Sequence, residues 1–386
     1  ALADMHPHHL SATVMAALAT RNNLNTADID DVMWGTTLHV NMHARLAALD
    51  AGYDPRVSGV TMERVCGSSI TSVSLAAATI IAGHQDLVVA GGIDMMSAMG
   101  KMTGSGGPPL LDGGNLRLRA RYPQSHQGVC ADAIATIEGI SREDLDQFAL
   151  ESQKRAANAI KAGYFDRSIV PVYHADGTLA LDHDEYPRPD TSSEGLASLK
   201  PAFTMIADYP LNEDGLTFRS LILSRYPDLA INFVHHAGNS SGVVDGSAGV
   251  LLASPDYARR HGLKPRARII AAATMGDDPT LMLNAPVPAT RKVLAKAGLT
   301  IADIDLFEIN EAFAVVVEKF IRDLSLDRDK VNVNGGSIAL GHPIGATGAV
   351  MIGTVLDELE RRDLKRGLVT MCAAGGMAPA IIIERI

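Results

Sequence analysis

Leu24-Asn25-Thr26-Ala27-Asp28-Ile29-Asp30 returns late in the chain as Leu299-Thr300-Ile301-Ala302-Asp303-Ile304-Asp305, with five of seven positions identical. Each copy follows a helical pattern, over 11–18 in one case and 290–297 in the other. Each also precedes a short strand-like run, at 31–34 and at 306–309. Two further echoes keep the same order. Cys66-Gly67-Ser68-Ser69-Ile70 resembles Gly335-Gly336-Ser337-Ile338. Leu87-Val88-Val89-Ala90-Gly91-Gly92-Ile93 resembles Val369-Thr370-Met371 followed by Ala374-Gly375-Gly376-Met377. One match of this size is chance, whereas three in sequence point to a duplicated unit. The period is far too long for a solenoid, so the expectation is two similar α/β halves.

Periodicity outside the echoes agrees. Ile70, Val73, Ala77 and Ile80 recur at helical spacing and predict a buried helix over 68–82, since its other face is also small and apolar. The apolar runs at 87–90 and 368–371 suit buried strands. A helix over 346–361 is predicted with Val350, Val355, Leu356 and Leu359 inward and Asp357, Glu358, Arg361 and Arg362 outward. Alternating helices and strands make layered α/β architecture. Between the halves the texture changes. Residues 100–122 are rich in Gly, Pro and Arg, and 171–195 in Pro and turn residues, with one amphipathic helix expected over 144–162. Irregular segments of this length inside a compact protein usually serve binding. The expected division is an N-terminal half from 1–97 with 244–266, an inserted loop domain over 98–243 that handles substrate, and a C-terminal half over 267–386.

Bulk properties narrow the function. With 386 residues, 47% hydrophobic and 20% charged, the chain is an ordinary globular one of two or three domains. Thirty-four basic against 44 acidic residues give a net charge of −10, and aromatics make up only 4%. Both argue against nucleic acid as the main partner, although a local basic group or a helix N-terminus still holds an anionic ligand. Cys66, Cys130 and Cys372 form no disulfide framework and no zinc spacing, so no metal is expected and the setting is read as reducing and cytoplasmic. No run reaches the ~18 apolar residues of a transmembrane segment, and no signal peptide is visible.

Four places carry chemistry. Cys66 stands before Gly67-Ser68-Ser69 at the start of the 68–82 helix, where free N–H groups and a partial positive charge favour a thiolate and hold an oxyanion. Taken alone, a free cysteine is more often a buried core thiol, a reading that the strand-to-helix junction rich in small residues weakens. Asn310, in Asn310-Glu311-Ala312-Phe313, ends a strand and opens a helix predicted over 312–322. It reads either as a polarising group at the carboxyl end of a parallel strand or as an N-cap with Glu311 in the first turn. His342, in Gly341-His342-Pro343-Ile344-Gly345-Ala346-Thr347-Gly348, lies on a tight turn that fixes an imidazole while leaving it reachable. A satisfied loop histidine is the competing reading. Cys372, in Cys372-Ala373-Ala374-Gly375-Gly376, is a second thiol at a strand end, either an acid/base group or core packing. Cys130 has no such setting and is read as structural. A thiol, an imidazole, an amide and a second thiol, each at an element end in one of two similar halves, can converge at the junction of those halves.

These four motifs, in this order, resemble the thiolase superfamily along nearly the whole chain, more specifically the degradative 3-ketoacyl-CoA thiolases. Asp182-His183-Asp184-Glu185, Arg188-Pro189-Asp190-Thr191 and Leu199-Lys200-Pro201-Ala202-Phe203 carry the narrower likeness. Residues 204–234 are similar to an insert in the beta subunits of trifunctional fatty-acid oxidation complexes. The resemblance implies a duplicated fold of two βαβαβαββ halves in α-β-α-β-α layers. It also implies cleavage of 3-ketoacyl-CoA in fatty-acid β-oxidation. His342 takes the proton of Cys66, the thiolate attacks the 3-keto carbon, and Cys372 protonates the departing acetyl-CoA carbanion. Asn310, through a water, and His342 form one oxyanion hole; the N–H groups of Cys66 and Ala374 form the other. Ser241 matches a serine that contacts the pantetheine arm, and His126 a loop residue near the thioester carbonyl, with an exposed loop histidine as its alternative.

Coenzyme A is then a co-substrate, with no permanently bound cofactor. A homodimer or homotetramer is implied, and a hydratase/dehydrogenase alpha subunit is a possible partner. Alternatives are a biosynthetic acetoacetyl-CoA thiolase and a non-catalytic acyl-CoA-binding subunit; a ketoacyl synthase is disfavoured because Asn310 stands where that branch has a histidine. The chain departs from the family pattern in four ways. The usual first strand before residue 1 and a Gly/Gln-rich loop near 40–43 are missing. Glu63 replaces an Asn and is expected to raise the Cys66 pKa. Ala374 replaces a Gly and would be strained at positive φ.

Overall fold

The computed structural model describes residues 1–38, 40–98 and 110–386. The first half runs α1 (Pro7–Arg21), β1 (Asp31–Gly35), α2 (His43–Asp50), β2 (Ser58–Met62), α3 (Ser68–Ile81) and β3 (Leu87–Met95). After the intervening region, which contains α4 (Gln127–Glu138) and α5 (Arg142–Lys161), it closes with β4 (Asp245–Ala253). The second half runs β5 (Ala267–Gly276), α6 (Pro286–Ala297), β6 (Leu306–Ile309), α7 (Ala314–Leu324), α8 (Thr347–Arg361), β7 (Arg366–Thr370) and β8 (Met377–Arg385).

The duplication read from the echoes is the architecture. One sheet has the order β2-β1-β3-β4, and the other β5-β8-β7-β6. In the first, β1 is parallel to β2 and β3, and β4 is antiparallel to β3. In the second, β6 is parallel to β7, and β8 is antiparallel to β7 and β5. A single bridge from Phe307 to Val331 stands where β2 stands in the first half. The repeated Leu24 and Leu299 segments are matching short 3-10 turns, Thr26–Asp28 and Ile301–Asp303, each leading into the first parallel strand. Parallel strands between helix layers are buried on both faces, which explains why β3 is apolar and small without alternation.

Helices α1 and α2 cover the outer face of the first sheet, and α6 packs on the outer face of the second. Helices α3 and α8 lie together between the sheets, which gives five layers. Three cores follow from this. One lies under α1 and α2 around Met15, Trp34 and Leu87. A central one joins Ile70 and Val73 to Ile352 and Val355. The third, under α4 to α7, includes Phe307 and Phe320. The two halves differ at one edge. β8 is bonded on both sides, whereas β4 is bonded, among the described residues, only to β3, and a groove of about 610 Å³ runs beside it between Val14 and Leu18 of α1 and Val350 of α8.

Element positions differ from the sequence reading in detail. α7 begins two residues later than expected, with Phe313 at its N-cap. On α8, Val350 is 39% exposed in that groove, while Glu358 is 1% exposed. Glu358 is buried because Arg361, Arg362 and the Asn334 amide surround its carboxylate. Of the expected Gly/Pro/Arg run at 100–122, residues up to 109 lie outside the described residues; the rest contains a short helix, Leu116–Arg121. No described helix is long and apolar enough to cross a membrane.

Candidate active site

Cys66 sits where the chain turns from β2 into α3. The turn is tight: the Gly67 amide donates to Arg64 O at 3.0 Å, and Ser68 Oγ to Val65 O at 2.6 Å. Val65, directly before Cys66, has φ 49°. A β-branched residue in the left-handed region is strained by roughly 1–3 kcal/mol. The sequence offers only the strand–turn–helix pattern as a signal for such an elbow.

The amides of Cys66 and Ala374 act on the sulfur to favour its thiolate. They do not prevail. Burial pushes the thiol up to about 12, and the charge of Asp94 adds to the rise. The expectation that the helix start lowers this pKa is therefore overturned, because the site is dry and desolvation outweighs a few N–H dipoles. The carboxylate that acts on the thiol is Asp94 rather than Glu63, whose side chain is exposed.

Asn310 and His342 meet as a pair. Asn310 Nδ2 lies 3.3 Å from His342 Nε2, and Ser337 Oγ donates to Asn310 Oδ1 at 2.5 Å. His342 Nδ1 lies 2.6 Å from Thr347 Oγ1, which donates its own hydrogen to Pro343 O at 3.1 Å. Thr347 therefore accepts from Nδ1–H, leaving the lone pair on Nε2. Burial lowers the imidazole pKa to about 4. The imidazole is neutral, and its neighbours leave Nε2 without a hydrogen.

Cys372 follows β7, fully buried, with its pKa raised by burial and then by the adjacent Cys66. Cys66 packs in one core with Met371 and Ala373, the residues on either side of Cys372. The loop after Cys372 closes with reciprocal bonds between Ala373 and Met377, at 2.7 and 3.1 Å. Positive φ falls on Gly375 and Gly376 and not on Ala374, so the departure from Gly at 374 carries no backbone strain.

A strap from the intervening region completes the arrangement. The Ser241 amide donates to Ala312 O, the Gly242 amide to Ser337 O, and the His342 amide to Gly242 O, at 2.9–3.0 Å. Ser241 is half-buried on that strap. His126 is neither an exposed loop residue nor bonded to the others. It caps α4 by accepting from the Gly128 amide at 3.1 Å and packs between Phe203 and Phe218. Glu311 is not a first-turn helix residue. Fully buried, it accepts from Ser152 Oγ, Asn332 Nδ2 and the Ile338 amide at 2.7–3.1 Å, tying α5 to the segment that carries Ser337. Cys130 is buried, 3.2 Å from Thr280 O.

The site can thus present a buried thiol at a helix start, a neutral imidazole with an amide beside it, and a second protonated thiol. Known proteins share this framework. The model of the thiolase N-terminal domain matches residues 1–206, and that of the thiolase C-terminal domain matches residues 263–385. An acetyl-CoA acetyltransferase of Chromobacterium violaceum is 41% identical, covering 100% of this chain and 95% of that protein. A 3-ketoacyl-CoA thiolase of Cronobacter sakazakii is 39% identical over the same shares. The crystal structure of the Bacillus anthracis acetyl-CoA acetyltransferase superposes with a TM-score of 0.82 at 34% identity, covering 100% of this chain and 94% of that one. With both family models and relatives of this identity matched over its length, the chain belongs to the thiolase family of acyltransferases.

Proposed function

We propose that this protein is a 3-ketoacyl-CoA thiolase that cleaves its substrate with coenzyme A as co-substrate, through an acyl group held on Cys66. The observation that carries the reading is the Asn310–His342 pair, 3.3 Å apart, together with Cys66 packed in one core with Met371 and Ala373, the neighbours of Cys372. His342 Nε2 takes the Cys66 proton as sulfur bonds to the 3-keto carbon. The carbonyl oxygen gains charge in the transition state and is met by fixed donors. The C2–C3 bond then breaks, and its electron pair takes the proton of Cys372, releasing acetyl-CoA. In the second half-reaction Cys372, now a thiolate, takes the proton of the incoming coenzyme A thiol. That sulfur attacks the acyl group, and Cys66 leaves and regains its proton from the imidazolium.

Ser241 is proposed to meet the pantetheine arm, and the 98–243 region to receive the acyl-CoA. Val60, Leu75 and Ile81, exposed on β2 and α3, are proposed to be covered in a homo-oligomer. The degradative direction and a place in β-oxidation rest on the motifs at 182–203. The relatives named acetyl-CoA acetyltransferase favour acetoacetyl-CoA as a second substrate reading.

The test is CoA-dependent loss of 3-ketoacyl-CoA across chain lengths, starting from acetoacetyl-CoA. The wild type is expected to consume longer chains, and Cys66→Ala to lose about 1,000-fold or more in kcat while staying folded. Preference for acetoacetyl-CoA alone selects the second reading. A folded wild type that cleaves no chain length rejects both.

A further inference from the structure

Asp94 ends β3, fully buried, and takes part in none of the proton transfers above. Its Oδ1 accepts from Thr36 Oγ1 and from the Thr37 amide, both at 3.0 Å. Its Oδ2 accepts from Thr37 Oγ1 at 2.8 Å and from the Gly345 amide at 2.6 Å. Thr36 Oγ1 also accepts from the Leu38 amide, which leaves its hydrogen for Asp94. Four donors converging on two oxygens describe an ionised carboxylate.

Three of those donors belong to the first half of the molecule. The fourth, Gly345, belongs to the second half and to the loop that carries His342. The loop backbone is seated on the carboxyl ends of β1 and β3. A Cβ on Gly345 would lie 2.5 Å from Ile93 O and 2.7 Å from Thr36 Cα. On its other side the loop is held by Gly242, which accepts from the His342 amide at 2.9 Å. The charge of Asp94 also raises the Cys66 pKa, so one carboxylate acts on the thiol and holds the loop of the imidazole.

We propose that Asp94 is a positioning residue that fastens the His342 loop of the second half to the first half, beside Cys66. The proposal rests on the thiolase reading of the site. The Gly345 amide bonds Oδ2 at 2.6 Å, and the Thr37 amide bonds Oδ1 at 3.0 Å and, more weakly, Oδ2 at 3.3 Å. The hydroxyls can turn, but the amides cannot. In Asp94→Asn the NH2 group displaces the acceptor of either the 2.6 Å Gly345 bond or the 3.0 Å Thr37 bond, and in the second case leaves only the 3.3 Å contact in its place.

The experiment measures steady-state thiolysis by Asp94→Asn and Asp94→Glu at saturating coenzyme A, with hydrogen exchange over residues 341–350. Asp94→Asn is expected to lose roughly 10- to 100-fold in kcat, the cost of one unsatisfied buried donor, with KM for the 3-ketoacyl-CoA within about threefold. Exchange should rise over 341–350 and stay unchanged in α6 and α7. Should Asp94→Asn fail to fold, Asp94→Glu keeps the charge but lengthens the stem, and the same split is expected from it. A folded variant with wild-type kcat, or one whose loss lies wholly in KM, overturns the proposal. If the wild type cleaves no 3-ketoacyl-CoA, the thiolase reading falls separately, and the exchange decides on Asp94: an unchanged rate over 341–350 refutes it.

Discussion

Burial sets the charge of the reacting pair before substrate arrives. With Cys66 raised to about 12 and His342 lowered to about 4, both are neutral at ordinary pH. In the proposed mechanism the proton therefore moves when sulfur attacks and not in a resting ion pair. For that transfer the hydrogen on the imidazole must be at Nδ1, and Thr347 is what puts it there. Thr347→Val removes the acceptor without changing the volume greatly. It is expected to lower kcat by about 10- to 100-fold, with little change in melting temperature. Equal activity in this variant would mean that another group selects the tautomer. At this scale the sequence is legible only where a residue type is unusual for its setting. A cysteine before Gly-Ser-Ser and a histidine between Gly and Pro stand out. Thr347, Ser337 and Asp94 do not, because serine, threonine and aspartate at element ends are common as caps, and their partners lie far away in sequence. The protonation of Cys66 was misread for a related reason: a helix start is visible in sequence, but the dryness of the space around it is not.

Elements bring their own pH dependence. Where α1 packs on α2, Trp34 Nε1 donates to Ser11 Oγ at 3.0 Å, and Ser11 Oγ lies 2.8 Å from His43 Nε2. Ser11 therefore donates to Nε2, and Nδ1 carries the hydrogen, buried with no hydrogen-bond partner. Burial lowers the His43 pKa to about 3, with smaller contributions from His8 and His6. A histidine whose folded pKa lies below its unfolded value near 6.5 stabilises the fold in its neutral form. That contribution is full above pH 6.5 and is lost as pH falls from there toward 3, by up to about 1.4 kcal/mol per pH unit. Urea unfolding at pH 7, 6 and 5 should show this loss, and His43→Asn should flatten the slope. An identical slope in both proteins would clear His43 of the effect. Most elements are readable from periodicity, and the repeated turns before β1 and β6 expose the duplication. Errors fall where tertiary contacts decide. Glu358 reads as a solvent-facing position until Arg361, Arg362 and Asn334 are seen around it, and Val350 reads as core until the groove beside β4 is seen.

The molecule as a whole depends on the seam between α3 and α8. Gly348 makes the closest approach there. A Cβ at this position would lie 2.6 Å from both Cγ1 and the backbone N of Ile70, and the next residue's amide donates to Ser69 Oγ at 3.0 Å. Backbone does not yield as a flexible side chain does, so Gly348→Ala must push the helices apart. A loss of about 1–3 kcal/mol is expected, read from the urea midpoint, with kcat falling too because Cys66 and His342 lie on opposite sides of the seam. An unchanged midpoint would mean that the seam is looser than these distances indicate. The twofold plan of the molecule is legible in the sequence, since three echoes in order suffice for it. The contact of the halves is not, because a glycine against a backbone nitrogen leaves no pattern along the chain.

Trp34 is the single tryptophan, and it lies in the core under α1 and α2, remote in sequence from every second-half residue of the site. Its emission during renaturation reports the birth of one lobe, whereas turnover needs a marriage of two. Regained catalysis should therefore lag behind the optical signal, and the interval between them is a stopwatch on docking; simultaneous recovery would make the twin lobes a single cooperative unit.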